Sequence, residues 1–206
     1  MRLCKLFVVN VTILLWAFCC FAKPEIHFDF ESDTEGWDVP DWAMEQEDHV
    51  GKILEVSDEK ALKGDKSLKL ICAFPGSEWT AGVVEYVMDM DLSGYKSISA
   101  DIFLPKEAKG GLYKARIILV AGPWWIIEQR YPVPLKTGQW TEVTAKLDVT
   151  PEEELMFWKR KTIEASLPAN INNVRKIVIR IEYDANPSHA GPPYEGAVYI
   201  DNIAIK

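Results

Sequence analysis

The sequence predicts an all-β chain, an antiparallel β-sandwich of the jelly-roll kind, and three observations carry that prediction. Roughly nine or ten short segments rich in β-branched and aromatic residues run along it. Turn signals built on Gly, Pro, Asp and Ser separate them at regular spacing. Only Pro151–Lys161 has a helical look, with Pro at its start and acidic residues in its first turn.

The elements follow in order. His27–Glu31 reads as a short strand broken by Ser-Asp-Thr-Glu-Gly, with Trp37 just beyond. A polar loop, Glu45–Lys52, leads to the strand Ile53–Ser57. Lys63-Gly64-Asp65-Lys66 is a turn, and Ser67–Phe74 alternates with Leu68, Leu70 and Cys72 on one face. Trp79–Met88 and Tyr95–Leu104 are further strands, the second with Ile98, Ala100, Ile102 and Leu104 inward. Pro132 and Pro134 suit an edge or a connection, because proline cannot donate to a ladder. Gln139–Leu147 is a strand. Val174–Tyr183 alternates strictly, with Ile177, Ile179 and Ile181 on one face and Val178, Arg180 and Glu182 on the other. A Pro/Gly-rich loop from Asn186 to Gly196 precedes the last strand, Ala197–Ile205.

Residues 1–22 read as a cleaved secretory signal. Arg2 and Lys5 precede a short apolar run, and Cys20-Phe21-Ala22 ends in a small residue before Lys23. A retained anchor is the alternative. Residues 23–206 then form a single domain, secreted or held at the cell surface or in a periplasm. Cleavage leaves Cys72 as the lone cysteine, in a strand where it is a small core residue rather than a reactive thiol. Stability without a disulfide has to come from the core or from a bound metal. The whole chain carries a net charge of −8, which repels phosphate backbones and makes nucleic acid a poor partner.

The most informative stretch is Lys114–Tyr131, KARIILVAGPWWIIEQRY. It predicts two strands joined at Ala121-Gly122-Pro123. Successive side chains on a strand point to opposite faces, so Trp124 and Trp125 cannot both enter a core. One indole lies outside, beside Arg116, Glu128, Gln129 and Arg130, where something flat and polar would cover it. The register favours Trp125 as the outward one, although a bulge at Gly122-Pro123 would exchange the pair. Trp37 and Trp140 are read as core. Trp158 is as well explained by packing on the sandwich as by any function.

Several motifs together resemble a known family. FDFESDTEGW (28–37), ALKGDKSLKL (61–70), GQWTEVTAKLD (138–148) and VYIDNIAI (198–205) are similar, in that order, to carbohydrate-binding modules of the galactose-binding-like β-sandwich type. The hairpin is most similar to modules attached to β-mannanases. The resemblance implies non-catalytic binding of a polysaccharide, with β-mannan, glucomannan or another β-linked plant glycan as ligand. It places the site on the concave face of one sheet, with Trp79 and Trp124 or Trp125 as platforms. Arg116, Glu128, Gln129, Arg180 and Glu182 would pair sugar hydroxyls. It also implies a structural Ca2+ held by Glu31, backbone carbonyls near Lys66, and Asp201, a hard-oxygen set of the kind calcium prefers. Such modules usually accompany a catalytic domain, so a separate glycoside hydrolase is an expected partner.

Two other classes are open. Glu128 and Glu182 could serve as a glycosidase pair, since that reaction needs two carboxyl groups about the scissile bond. The sequence shows no GxSxG, HExxH, phosphate-binding loop or dinucleotide fingerprint, and His27, His49 and His189 have no ligand spacing. A protein-interaction sandwich would use the same exposed tryptophans as interface anchors.

Overall fold

The computed structural model describes residues 23–109, 112–185 and 190–206, so the signal reading of 1–22 and His189 lie outside the described residues. Two antiparallel sheets stack face to face. Their strands, in chain order, are β1 (Ile26–Phe28), β2 (Trp37–Asp38), β3 (Gly51–Ser57), β4 (Ser67–Phe74), β5 (Thr80–Met90), β6 (Ser97–Leu104), β7 (Tyr113–Ala121), β8 (Trp125–Gln129), β9 (Val133–Pro134), β10 (Gln139–Lys146), β11 (Trp158–Arg160), β12 (Val174–Tyr183) and β13 (Tyr194–Ile205). Short helices α1 (Asp41–Glu45), α2 (Pro151–Phe157) and α3 (Leu167–Asn170) decorate the edges.

The back sheet runs β10-β6-β13-β4-β3, with β1 added to β13. The front sheet runs β11-β8-β7-β12-β5-β2, with β9 added to β7. This is the predicted sandwich. The core lies between the sheets and is filled by the alternate residues the period of two selects. Leu68, Leu70, Cys72 and Phe74 of β4 and Ile98, Ala100, Ile102 and Leu104 of β6 meet Ile177, Ile179 and Ile181 of β12, all buried. Trp37 closes one end, with its ring centroid 5.7 Å from Phe28 in an edge-to-face contact. Burial in this core pushes the Cys72 thiol far above its ordinary range, as an inert core residue requires.

Two expectations need correction. Pro151–Lys161 is helical only to Phe157, under a capping box between Thr150 and Glu153. Residues 158–160 instead become β11, because the edge of β8 offers ladder partners at Ile127–Gln129. Trp158 is fully buried there and donates its indole N–H to the Lys146 carbonyl at 2.7 Å. Trp140 is not core. Val143 and Ala145 take the inward positions of β10, so the same alternation turns Trp140 outward against Phe103, ring centroids 5.5 Å apart. No helix among the described residues is long and apolar enough to cross a membrane.

Candidate functional site

The outer face of the front sheet is ordered in cross-strand rows. Ala81 of β5, Glu182 of β12 and Lys114 of β7 form one row; Val83, Arg180 and Arg116 form the next. Glu85, Val178, Ile118 and Glu128 make the third, and Val87, Lys176, Val120 and Ile126 the fourth. A groove of about 270 Å³ lies over the lower rows, floored by Val83, Ile118, Val120 and Val178. Trp42 and Trp124 are the two indoles that line it.

The tryptophan wall depends on local backbone. Gly122 and Trp124 both take positive φ, 55° and 69°, in the turn between β7 and β8. For a bulky residue that conformation is strained, and such strain collects at sites that use it. It lifts the Trp124 indole out of the strand, 60% exposed. The Arg175 guanidinium lies 5.1 Å from its ring centroid. Trp125, one residue on, faces the opposite side of the sheet, where its ring sits against Gly122. The preference for Trp125 is therefore reversed, because the turn places its non-glycine positive-φ residue at 124 and starts the strand only at 125.

The other wall comes from α1 and the start of β5. Trp42 meets the His49 ring edge-on at 4.9 Å, and His49 in turn meets Trp79 at 6.0 Å. Trp79 packs on the small apolar cluster of Ala81, Val83, Ile118 and Val178, with the Arg180 guanidinium 5.9 Å from its ring. Sequence reasoning missed Trp42, and it set His49 aside for want of ligand spacing. The signal for both was weak: a Pro-Asp-Trp start to a one-turn helix, and a lone histidine in a polar loop.

Arg116, Arg180, Glu128 and Glu182 form one lattice. Glu182 Oε1 lies 2.6 Å from Arg116 Nε and accepts from Arg180 Nε at 2.7 Å. Glu128 Oε2 accepts from Arg116 at 3.3 Å and from Arg180 at 3.4 Å. Lys176 donates to Glu85 at 2.7 Å beside them. Gln129 joins the group only through its main-chain carbonyl, which accepts from Arg116 at 3.2 Å; its side chain does not. It lies on the other face of β8, accepts from the Ile117 N–H at 3.2 Å and donates to the Thr144 carbonyl at 3.0 Å. The parity of β8 places Ile126 and Glu128 on the groove side and Trp125, Ile127 and Gln129 behind.

The expected calcium donors are engaged otherwise. Glu31 Oε1 sits over Gly64, where any Cβ would collide with it, and accepts from the Asp65 and Lys66 N–H groups at 2.8 and 3.2 Å. The Lys66 ammonium donates to the Glu31 carbonyl at 2.7 Å. Asp201 accepts from the Leu62, Lys63 and Asn202 N–H groups at 2.6, 3.0 and 2.6 Å. Among the described residues no three His, Cys, Asp or Glu side chains converge to hold an ion. Both carboxylates accept from chain N–H groups, and the Lys66 ammonium stands on the main-chain carbonyl of Glu31. Glu31, Lys66 and Asp201 tie the same strand ends together with N–H donors and an ammonium.

A larger cleft, about 820 Å³, lies on the outer face of the back sheet between Lys69, Phe103, Tyr194 and Tyr199. It presents no free flat surface. The Lys60 ammonium lies 5.3 Å over the Phe103 ring, and Tyr199 is buried and donates to Glu59. Burial, with that bond, pushes the Tyr199 phenol above its ordinary range. The front groove is the stronger candidate because its two walls are exposed indoles.

No family model and no curated protein matches the chain. Its fold is similar to solved β-sandwich structures. One is a carbohydrate-binding module specific for non-crystalline cellulose, 14% identical, TM-score 0.56, covering 86% of this chain and 91% of that one. A family 11 carbohydrate-binding module from Clostridium thermocellum, in complex with a β-1,3-1,4-mixed-linked tetrasaccharide, is 14% identical at TM-score 0.50, covering 88% of this chain and 94% of that one. An exo-β-agarase is 15% identical at TM-score 0.56, but this chain spans only 24% of its length. It likewise spans about half, 51%, of a protein from a study of promiscuous specificity in β-sandwich carbohydrate-binding modules. The chain has the antiparallel β-sandwich fold of carbohydrate-binding modules.

Proposed function

We propose that this sandwich binds a polysaccharide without cleaving it, in the groove between Trp42 and Trp124. The single observation that carries the reading is the groove itself. Two exposed indoles, Trp42 and Trp124, line one groove on the outer side of a sheet, beside a lattice of arginines and carboxylates. A pyranose has an apolar C–H face that packs on an indole and a rim of hydroxyls that guanidinium and carboxylate groups can pair. A fold shared with glycan-binding modules supports the reading. So does the geometry of Glu128 and Glu182, which are tied side by side to the same two arginines rather than set on either side of a space for a scissile bond.

Within this reading the ligand is a β-linked plant glycan, mannan or glucomannan first, and the chain is exported and works beside a separate glycoside hydrolase. The test is a titration with mannan, glucomannan, mixed-linkage β-glucan and xylan followed by tryptophan fluorescence. One polymer should give a saturable shift that disappears in Trp124→Ala. A flat response to all four would sink the function and leave the fold. Release of reducing sugar from any of them would sink the non-catalytic part.

A further inference from the structure

The groove has an unusual floor for a sugar site, and we propose that its ligand is a glycan carrying apolar substituents, O-acetyl groups above all. This rests on the glycan-binding reading and narrows it to a class of substrate. Ile118, Val120 and Ile126, from two neighbouring strands, and Val83 and Val178 from two more, line the space between the indoles. Val83, Ile118 and Val178 are sunk at the bottom, whereas Ile126 is 43% exposed at the side. Among the described residues no hydroxyl or amide side chain lines this space.

The charged groups that line it are paired with one another, and a hydroxyl has to share them with those ion pairs. Glu85 is held by Lys176, and Glu128 and Arg180 by each other and by Glu182 and Arg116. A bare sugar hydroxyl pressed onto the side chains of Val83, Ile118, Val120 or Val178 meets methyl groups there and loses water it does not regain from them, which is unfavourable. An ester methyl at the same place removes apolar surface from water on both sides, which is favourable. The surroundings therefore select for a ligand whose groove-facing edge carries methyl groups, while Trp124 and Trp42 still hold the ring. The groove is at the small end of ligand-site volumes, and fits a short run of substituted sugar rather than a protein face.

The probes are a naturally acetylated glucomannan and the same sample after mild alkaline deacetylation, titrated against the whole protein. The acetylated form should bind about tenfold more tightly, the effect expected for burying two methyl groups. Val120→Thr, which keeps the shape and adds a hydroxyl, should bring the ratio of the two affinities towards one; Ile126→Thr is the second variant, with a melting curve confirming that each is folded. Equal affinity for both forms, or preference for the deacetylated one, overturns the inference and leaves glycan binding standing. An unchanged ratio in both folded variants also overturns it. Failure of both polymers to bind overturns the inference together with the reading beneath it.

Discussion

At the scale of single residues, the two adjacent tryptophans part company. Trp124 is mostly exposed and touches the groove, so Trp124→Ala should leave the melting temperature within a degree or two. It should lower glycan affinity about thirtyfold, as loss of an anchoring aromatic worth about 2 kcal/mol does. Trp125→Ala should do the converse, costing about 2 kcal/mol of stability because a half-buried ring is lost from the inner face. Isothermal titration and chemical denaturation on both variants separate the two roles; equal loss of affinity in both would refute the assignment. Glu182 is 6% exposed on its side chain and sits between two guanidinium groups. Glu182→Gln should cost about 3 kcal/mol in urea unfolding, because it leaves positive charge half-buried with one carboxylate fewer.

At the scale of elements, the β7–β8 hairpin and the row across β10, β6 and β13 each carry a consequence. Glu142, Asp101 and Asp201 stand directly opposite one another on those three strands. Burial, and then the two neighbouring carboxylates, hold the Asp101 carboxyl above its ordinary range, against the Asn202 amide that donates to it. A carboxyl whose folded value is raised binds its proton more tightly when folded. Its contribution is therefore favourable in acid and is lost as pH rises through that value. Asp101→Asn should accordingly stabilise the protein by a few tenths of a kcal/mol at neutral pH, the scale of like charges directly opposite discounted for partial exposure. That gain should vanish in melting curves below the ordinary range of Asp. The hairpin shows what was legible at this scale. Residues 121–123 were readable as a turn from Gly-Pro, yet which indole faced out depended on whether residue 124 belonged to the turn or the strand, and a one-residue shift inverts every side chain after it.

At the scale of the whole molecule, the strand ends are held by donors of the chain itself. The nest of Asp65 and Lys66 N–H groups around Glu31, the Lys66 ammonium on the Glu31 carbonyl, and the Leu62 and Lys63 N–H groups on Asp201 join segments far apart in sequence. A chelator should therefore leave the melting temperature unchanged, and Lys66→Met should lower it by several degrees. A fall of the melting temperature in chelator, restored by added calcium, would show that the oxygens rearrange around an ion after all.

The sequence by itself determined the sandwich: alternation of period two in Ser67–Phe74, Ser97–Leu104 and Val174–Tyr183 dictates which face of each strand is buried, and that property is local. It likewise put Arg180 and Glu182 on one outward face. It did not determine the groove. Val83, Ile118, Val120 and Val178 look like core residues in any one strand, and only the registers of β5, β12 and β7 bring them together on the outside, between Trp42 and Trp124. The fate of Glu31, Lys66 and Asp201 was decided in the same way, since the donors that meet their oxygens come from the β3–β4 turn, which only the pairing of β1, β13, β4 and β3 in one sheet brings beside them.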